Sequence, residues 1–328
     1  MPGSGGEIDV SGVRIVLLNW QGYDTTSTCV ESLRSCGYGD ELILIVDNGS
    51  PDGSGPRLQA RFPKIQYVQN ETNDGFARGC NLGIRQALAD SAEFILLLNN
   101  DCEVTPGFLE AMVGCIRSHD NVGLVSGKLY LLQPGSDDRI WYAGAQRRPF
   151  RGGVGLRGHL APDPGDYDVE EPTEGCTGAM MLIPRKVLEQ VGLLPEEYFF
   201  GMEEWDYSEQ LRRAGYTLWY CPDAVVYHRS DGSHDNLSPK FVYCGHRNSL
   251  IYQSRYLNRP TYELWLRVYA AYVKWYSPRR LGYDADTMDM FQKAWKSAVR
   301  DHRARKDHWV TAEDLEAFER EFQKSQGH

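Results

Sequence analysis

The sequence predicts an α/β fold in which helices flank a mostly parallel, Rossmann-like sheet. Three short apolar segments predict its strands: residues 13–19 (VRIVLLN), 42–46 (LILIV) and 94–99 (FILLLN). Apolar side chains at nearly every position are typical of a strand that is covered on both faces of a parallel sheet. Stretches with helical character separate the strands, and this alternating order implies right-handed crossovers between parallel neighbours.

The connecting elements follow from shorter patterns. Residues 25–36 and 57–62 predict crossover helices, with Asp24 as N-cap of the first. A less apolar strand, residues 65–69, precedes a helix over residues 77–90. Further along, residues 123–132 and 178–184 predict strands, residues 185–191 predict a helix, and another strand ends at His228.

Polar side chains follow the three apolar strands where each one ends. They are Asn19, Asp47, Asn48, Ser50, Asn99, Asn100 and Asp101. The carboxyl ends of parallel strands meet at one edge of the sheet, where open α/β sheets bind ligands. The pattern therefore predicts a nucleotide site at this edge, with Asp101 as a hard oxygen ligand for Mg²⁺ or Mn²⁺ carrying a phosphate.

Composition limits the partners. The chain has 328 residues, a formal net charge of −10 and a pI near 5.3, which excludes a nucleic-acid polymer as the main partner. No segment is long and apolar enough to predict a membrane span, and the first residues do not resemble a signal peptide. Eight scattered cysteines without a CxxC pair indicate buried thiols in a reduced, cytoplasmic protein.

Four segments, in this order, resemble the family 2 glycosyltransferases of the GT-A fold, and most of all their bacterial rhamnosyltransferase-like members. They are VRIVLLNWQGYD, LILIVDNGSPDGS, NDGFARGCNLGIRQA and FILLLNND, and the resemblance extends over residues 13–256. It implies an inverting, metal-dependent transfer of a sugar from a UDP- or dTDP-linked donor. The acceptor hydroxyl would belong to a glycan, a lipid-linked saccharide or a natural product.

We expect three parts in the chain: a flexible tail over residues 1–12, a catalytic domain over residues 13–235, and a helical extension over residues 236–328. The catalytic domain would divide into a nucleotide half, residues 13–101, and an acceptor half, residues 102–235.

The resemblance also implies roles for single residues. Asp47 would recognise the nucleobase, Asn99 would lie beside the ribose, and Asp101 would hold Mn²⁺ or Mg²⁺ on the diphosphate. Asn99 stands where the family usually has the first carboxylate of its DxD motif. His228 matches a metal-ligating histidine of the family, and a neutral imidazole can complete the ligand set that Asp101 begins. His234 is a further candidate.

Glu203, Glu204 and Asp206 lie together at the start of a predicted helix, where the helix dipole favours carboxylates. They can be surface acids, or one of them can be a general base. The family carries its base, mostly an aspartate, at the position of Glu204, so we rank Glu204 first and Glu203 second. Asp206 would orient the helix or contact the acceptor, and Gly178 would lie on the acceptor side.

Three arginines and one glycine-rich segment are further candidates. Arg78 lies at a predicted helix start, where free N–H groups suit an anion, although the neighbouring glycines can also serve tight helix packing. Arg229 and Arg247 fall where the family often has a mobile loop over the diphosphate. Residues 153–158 match GxGxxG, but they follow no strand and open no helix, so we reject a dinucleotide site.

The C-terminal segment predicts helices with an aromatic stripe at helical spacing, formed by Trp265, Tyr269, Tyr272 and Tyr276. The stripe is expected to pack on the main domain or on a second subunit. With Lys274, Arg279 and Arg280 nearby, peripheral contact with the inner face of a membrane stays open. A basic segment and an acidic helix capped by Thr311 indicate a helical hairpin or a dimer contact.

Two other functions fit the same sheet. A sugar-phosphate nucleotidyltransferase would need a glycine-rich, basic loop after the first strand, and NWQGYDTTS lacks that loop. A catalytically inactive module that binds a sugar nucleotide or a glycan would not need the acidic group at residues 203–206, although spacing alone does not exclude it.

Overall fold

The first part of the chain alternates strands and helices, as predicted. The structure is a computed structural model, and it describes residues 8–132, 138–148, 153–229, 238–276, 284–304 and 310–325. The alternating elements are β1 (Val13–Asn19), α1 (Tyr23–Ser35), β2 (Ile43–Asn48), α2 (Ser54–Arg61), β3 (Gln66–Asn70), α3 (Phe76–Ala89) and β4 (Phe94–Asn99).

Within the described residues, the middle of the chain contributes strands of two to twelve residues and three helices. In order these are β5 (Cys102–Val104), α4 (Phe108–Ser118), β6 (Val122–Leu131), β7 (Ile140–Tyr142), β8 (Ala145–Arg148), β9 (Gly153–Leu156), β10 (Glu171–Pro172), β11 (Met180–Pro184), α5 (Arg185–Val191), α6 (Glu203–Arg213) and β12 (Thr217–His228). The rejected GxGxxG segment begins with β9, which pairs with β8 in a separate hairpin. It therefore does not form a strand-to-helix turn.

The sheet has the order β10-β12-β6-β11-β4-β1-β2-β3, with β5 beside β12 and β7 beside β6. β1 runs parallel to β2 and β4, β2 runs parallel to β3, and β6 runs parallel to β12. β11 is antiparallel to both of its neighbours, β4 and β6. The register places Asn19 beside Asp47 and Leu18 beside Asn99, so three strand ends meet at one edge.

Both faces of the sheet are covered, because successive strand residues point to opposite sides. Ile15 and Leu17 belong to a hydrophobic cluster with α1 and α4, whereas Val16 belongs to a second cluster with α3 and α5. α3 packs very closely on β1: a Cβ at Gly79 would lie 2.5 Å from the Leu18 side chain. The glycines of this helix thus serve helix–sheet packing.

The C-terminal segment is helical: α7 (Pro239–Tyr256), α8 (Arg259–Ala271), a π-helical turn (Tyr272–Tyr276), α9 (Ala285–Arg303) and α10 (Ala312–Ser325). These helices share a third hydrophobic cluster, in which Tyr243 of α7 stacks on Phe318 of α10 with 4.7 Å between ring centroids. The predicted cap is confirmed, since Thr311 and Asp314 exchange hydrogen bonds at the start of α10. The predicted α/β fold with a helical extension is confirmed.

Two predicted boundaries are wrong. Asp24 is not an N-cap residue, because α1 begins at Tyr23 with Gly22 in the cap position. Residues 8–12 do not belong to a flexible tail as expected, because Ile8 and Val10 pack against the core. The Gly12 carbonyl also accepts hydrogen bonds from residues 93 and 94, which fixes this segment to the start of β4.

Candidate active site

Asp47 is the centre of a buried hydrogen-bond network at the ends of β1 and β2. Its Oδ1 accepts from Asn19 Nδ2 and from Ser50 Oγ, each at 2.6 Å. Its Oδ2 accepts from Gln69 Nε2 at 2.8 Å and from the Ser50 backbone N–H at 3.1 Å. Asp47 is fully buried. A nucleobase could bond to this carboxylate only if one of the four bonds opened, so its implied role in base recognition stays a prediction.

Asn19 extends this network to the other strand ends. Its side-chain oxygen accepts from Thr26 Oγ1 at 3.0 Å, and Thr26 Oγ1 accepts in turn from Asn100 Nδ2 at 2.7 Å. The chain of bonds joins β2, β1, α1 and the residue after β4. It fixes the geometry of the edge before any ligand binds.

Asn48 positions the loop that enters α3. Its side chain donates to Asn73 Oδ1 at 3.0 Å and to the Gly75 carbonyl at 3.1 Å. Gly75 has φ 84°, and a Cβ there would lie 2.3 Å from the Phe199 carbonyl oxygen. Only glycine fits this close approach, which ties the α3 entrance to the segment just before the acidic residues of α6.

Asp101 and His228 meet where β4 and β12 end. His228 Nε2 lies 3.1 Å from Asp101 Oδ1 and 3.3 Å from Asn99 Nδ2. Apart from the histidine, the described residues offer no hydrogen-bond donor to the buried Oδ1 atom of Asp101. The Trp141 ring packs edge-on against the His228 ring, with 4.5 Å between centroids. The predicted pair is therefore brought together, with Asn99 beside it.

This pair fits a small divalent cation. Two adjacent ligands about 2.1 Å from one octahedral Mg²⁺ lie about 3 Å apart, which is close to the observed 3.1 Å. The Cys102 thiol also lies within 4.8 Å of both ligand atoms. Burial raises the pKa of that thiol well above its ordinary value, so the neutral thiol is a poor ligand. Asp101 and His228 are the residues that would hold the ion. His234 lies outside the described residues.

Glu203 and Glu204 begin α6 as predicted. Burial raises the pKa of Glu204 to about 7, and burial together with the neighbouring Glu204 raises the pKa of Glu203 well above its ordinary value. One oxygen of each carboxylate, Oε2, is buried without a hydrogen-bond partner in the described part of the chain. At neutral pH Glu204 thus exchanges a proton readily, whereas Glu203 holds its proton more tightly than an ordinary glutamate.

The segment before β11 connects these acids with the metal candidates. A Cβ at Gly178 would lie 3.8 Å from Glu204 Cβ. The next residue, Ala179, accepts a hydrogen bond from the Asn99 backbone N–H at 2.9 Å. Glu204 is therefore separated from the end of β4 by a single short segment. Gly178 leaves space beside Glu204, in agreement with a position on the acceptor side.

Asp206 does not face an acceptor. It is fully buried and accepts hydrogen bonds from Tyr198 Oη at 2.6 Å, Gln210 Nε2 at 2.8 Å and Tyr256 Oη. Arg255 of α7 forms an ion pair with it. The suggested acceptor contact is wrong because these partners enclose the carboxylate. Its other suggested role, orienting the helix, agrees with these contacts.

The three arginines differ in position. Arg78 Nε lies 3.5 Å from Glu196, so its charge is already paired on the protein. Arg247 does not lie in a loop: it is a buried residue of α7 and donates to the Glu197 carbonyl at 2.9 Å.

The backbone N–H of Arg229 donates to the Asp101 carbonyl at 2.9 Å. Arg229 lines a surface cavity together with Asp101, Thr25 and Thr28. Only Arg229 among them adjoins the metal candidates.

Trp141 and Thr26 are candidate site residues that the sequence did not reveal. Trp141 lies in the polar connection between the predicted strands 123–132 and 178–184, where no pattern predicted a strand, and Thr26 lies within a helix among other hydroxyl residues. The pairing of β7 with β6 brings Trp141 to His228. The signal that could have found Trp141 is a large aromatic residue in an otherwise polar connection.

Comparison with known proteins agrees with this geometry. The family model described as Glycosyl transferase family 2 matches residues 15–192. N-acetylglucosaminyl-diphospho-decaprenol L-rhamnosyltransferase of Mycobacterium tuberculosis is 26% identical over 234 residues, which are 64% of this chain and 73% of that protein. Low-salt glycan biosynthesis hexosyltransferase Agl10 of Haloferax volcanii is 25% identical over 241 residues, 72% of this chain and 74% of that protein.

The fold is also similar to that of a solved structure. The crystal structure of GalNAc-T7 with UDP, GalNAc and Mn2+ superposes with a TM-score of 0.60 at 15% identity. The match covers 91% of this chain and 58% of that chain, so this chain spans less than two thirds of it. At this identity the similarity concerns the fold alone, and it confirms the predicted GT-A architecture.

Proposed function

The chain belongs to glycosyl transferase family 2, and we propose that it transfers a sugar from a UDP- or dTDP-linked donor to an acceptor hydroxyl with inversion at the anomeric carbon. The observation that carries this proposal is the convergence of three groups at one sheet edge. Asp101 and His228 lie 3.1 Å apart, and Glu204 is separated from them only by the segment around Gly178.

The donor diphosphate would lie against Asp101 and His228. A divalent cation on these residues, Mn²⁺ or Mg²⁺, neutralises charge on the departing diphosphate when it is bound. Arg229 lines the same cavity as Asp101, and its guanidinium, 3.8 Å from Glu103, would add a positive charge at this edge of the site. Asn99 and Asn100 offer amide groups beside them for the ribose. The Asn19–Asp47 network would hold the base-binding edge in shape.

Glu204 would act as the general base. In its ionised form it takes the proton of the acceptor hydroxyl while the hydroxyl oxygen forms a bond to the anomeric carbon. The bond from that carbon to the diphosphate oxygen breaks, and its electron pair leaves with the nucleoside diphosphate. Attack opposite to the leaving group inverts the anomeric configuration. One carboxylate is sufficient for this step.

A lipid-linked saccharide is the acceptor we favour. The M. tuberculosis relative is named for a diphospho-decaprenol acceptor, and the helices that follow the catalytic part expose an apolar surface. A free glycan end and a natural product stay as alternatives. All eight cysteines are unpaired, which supports a reducing, cytoplasmic compartment for the reaction.

Metal-dependent nucleotide binding tests the donor site. We expect UDP or dTDP to raise the melting temperature only when Mn²⁺ or Mg²⁺ is present, because Asp101 and His228 would hold an ion that offsets the charge of the diphosphate. At a ligand concentration about a hundredfold above Kd the stabilisation is about 2.7 kcal/mol, or several degrees. Asp101→Asn should remove this shift, and a thermal-shift panel over nucleoside diphosphates measures it.

Asp223→Asn is the matched control, since Asp223 is an exposed carboxylate on β12. Its shift should equal that of the wild type. A shift that persists in Asp101→Asn would contradict the metal site. Binding without transfer to any acceptor would favour the inactive binding module, and exchange of pyrophosphate with a nucleoside triphosphate would favour the nucleotidyltransferase.

The rate of transfer should depend on pH through Glu204. Its pKa is raised to about 7, so the basic form dominates above that pH and is lost below it. We expect kcat to fall about tenfold for each pH unit below about 6 and to level off above about 8. A kcat profile with saturating donor, metal and acceptor measures this. A flat profile from about pH 5 to about pH 8 would contradict the assignment.

A further inference from the structure

α8 exposes a row of large apolar side chains along one face. Leu264 is 61% exposed, Val268 56%, Tyr272 42% and Trp275 55%. Their spacing of three to four residues places them on one side of the helix and its π-helical continuation. Of the nine large hydrophobic residues exposed in the described part of the chain, these four lie within twelve positions. We call this row the α8 surface.

The opposite face of the same helix is fixed to the protein. Trp265 is buried and stacks on Tyr269 at 4.8 Å between centroids, and Tyr269 meets Trp295 of α9 at 5.3 Å. The predicted stripe therefore extends over two faces: Trp265 and Tyr269 pack inside, whereas Tyr272 stacks on Tyr269 at 6.0 Å between centroids and is exposed on the α8 surface. The side chain of Tyr276 is not described. Because one face is anchored, the helix presents the other as a rigid ridge.

The charge around the α8 surface is opposite to that of the whole protein. Residues 258–276, the described part of this segment, contain three basic side chains and one acidic one, a net charge of +2 in a chain of net charge −10. Arg267 and Lys274 are exposed beside the apolar row. Lys274 Nζ lies 5.0 Å from the centre of the Trp275 ring. Apolar residues flanked by basic ones, with Trp and Tyr among them, match the interface of an anionic bilayer.

We propose that the α8 surface docks the protein on a membrane that contains anionic phospholipid. A second copy of the chain is the less favourable occupant, because a symmetric contact would bring Arg267 and Lys274 of both copies together. None of the described helices is long and apolar enough to cross a bilayer, so the contact is peripheral. The inference depends on the exposure and charge of the α8 surface. Docking on a membrane would bring the proposed lipid-linked acceptor to the enzyme.

Vesicle flotation tests this docking. Without nucleotide or metal, the wild type should float with vesicles of phosphatidylcholine and phosphatidylglycerol in a two-to-one ratio, and not with phosphatidylcholine alone. The double variant Leu264→Gln/Trp275→Gln should bind at least about tenfold more weakly. Arg267→Gln/Lys274→Gln should lose a similar factor at low salt, since each basic residue contributes to binding at the anionic surface.

Val169→Gln is the control: Val169 is 64% exposed in the segment before β10, so the change removes exposed apolar surface elsewhere on the protein. It should float like the wild type. Equal flotation of the α8 variants would overturn the proposal. A wild-type dimer that the Leu264→Gln/Trp275→Gln variant dissociates would also overturn it, in favour of a second copy. Transfer to a water-soluble acceptor should be unchanged in all α8 variants, which separates failure of docking from failure of the proposed chemistry.

Discussion

Replacing Glu204 with glutamine should lower kcat by about 10²–10⁴-fold and leave the donor Kd within about twofold, because a general base contributes a factor of that size and glutamine accepts no proton. The fold should not suffer. A carboxyl group whose pKa rises from 4.5 to about 7 on folding costs stability above pH 4.5, and the neutral amide lacks this cost. The variant should melt at or above the wild-type temperature at pH 8. Steady-state kinetics and donor titration with Mn²⁺ give both values.

Glu203→Gln is the control that the chain itself provides. Glu203 adjoins Glu204 in the same helical turn and is more deeply buried, and burial together with Glu204 raises its pKa well above the ordinary value, which favours the neutral form. Exchange for a neutral amide of similar shape should keep kcat within about tenfold. Loss of turnover in Glu203→Gln, with Glu204→Gln retaining most of it, would move the base to Glu203. Losses of equal size in both variants would indicate that the two carboxyls act as a pair.

The edge of the sheet was predictable because buried parallel strands leave a signal in the sequence. Continuous apolar runs that end in amides and carboxylates predicted β1, β2 and β4, together with the meeting of Asn19, Asp47 and Asp101. The saturation of Asp47 was not predictable. Ser50 lies near Asp47 in sequence, but the Gln69 donor belongs to the neighbouring strand β3. Only the register of β2 with β3 places Gln69 beside Asp47.

Local sequence patterns also could not predict the contacts between segments that are distant in the chain. Helical spacing predicted that Trp265 and Tyr269 share a face, but not which face of α8 would be buried, since that depends on α9. Likewise, the RNS sequence at residues 247–249 gives no indication that Arg247 is enclosed in α7 and holds the segment before α6 through the Glu197 carbonyl. The segment that leads to Glu204, the proposed general base, is thus held by a helix more than forty residues later in the chain.

The strongest such support is the carboxylate of Asp206, and its removal should destabilise the fold. Asp206→Ala would leave the hydroxyls of Tyr198 and Tyr256 without their acceptor and Arg255 without its buried partner. Breaking a buried ion pair costs about 3–5 kcal/mol. The side chain of Arg255 is 32% exposed and can recover some hydration, so we expect a loss of about 2–4 kcal/mol in the free energy of unfolding. Urea denaturation monitored by circular dichroism measures it.

Glu189→Ala is the matched control, because Glu189 pairs with Arg185 at 2.7 Å on the surface, with 54% of its side chain exposed. Its loss should stay below about 1 kcal/mol. If Asp206→Ala costs no more than this control, the buried network does not stabilise the packing of α7 on α6. If the expected loss is found, the folded fraction of Asp206→Ala should still show the nucleotide- and metal-dependent thermal shift, since Asp101 and His228 lie on other strands. Its kcat should fall, because Glu204 is carried by the helix that Asp206 anchors.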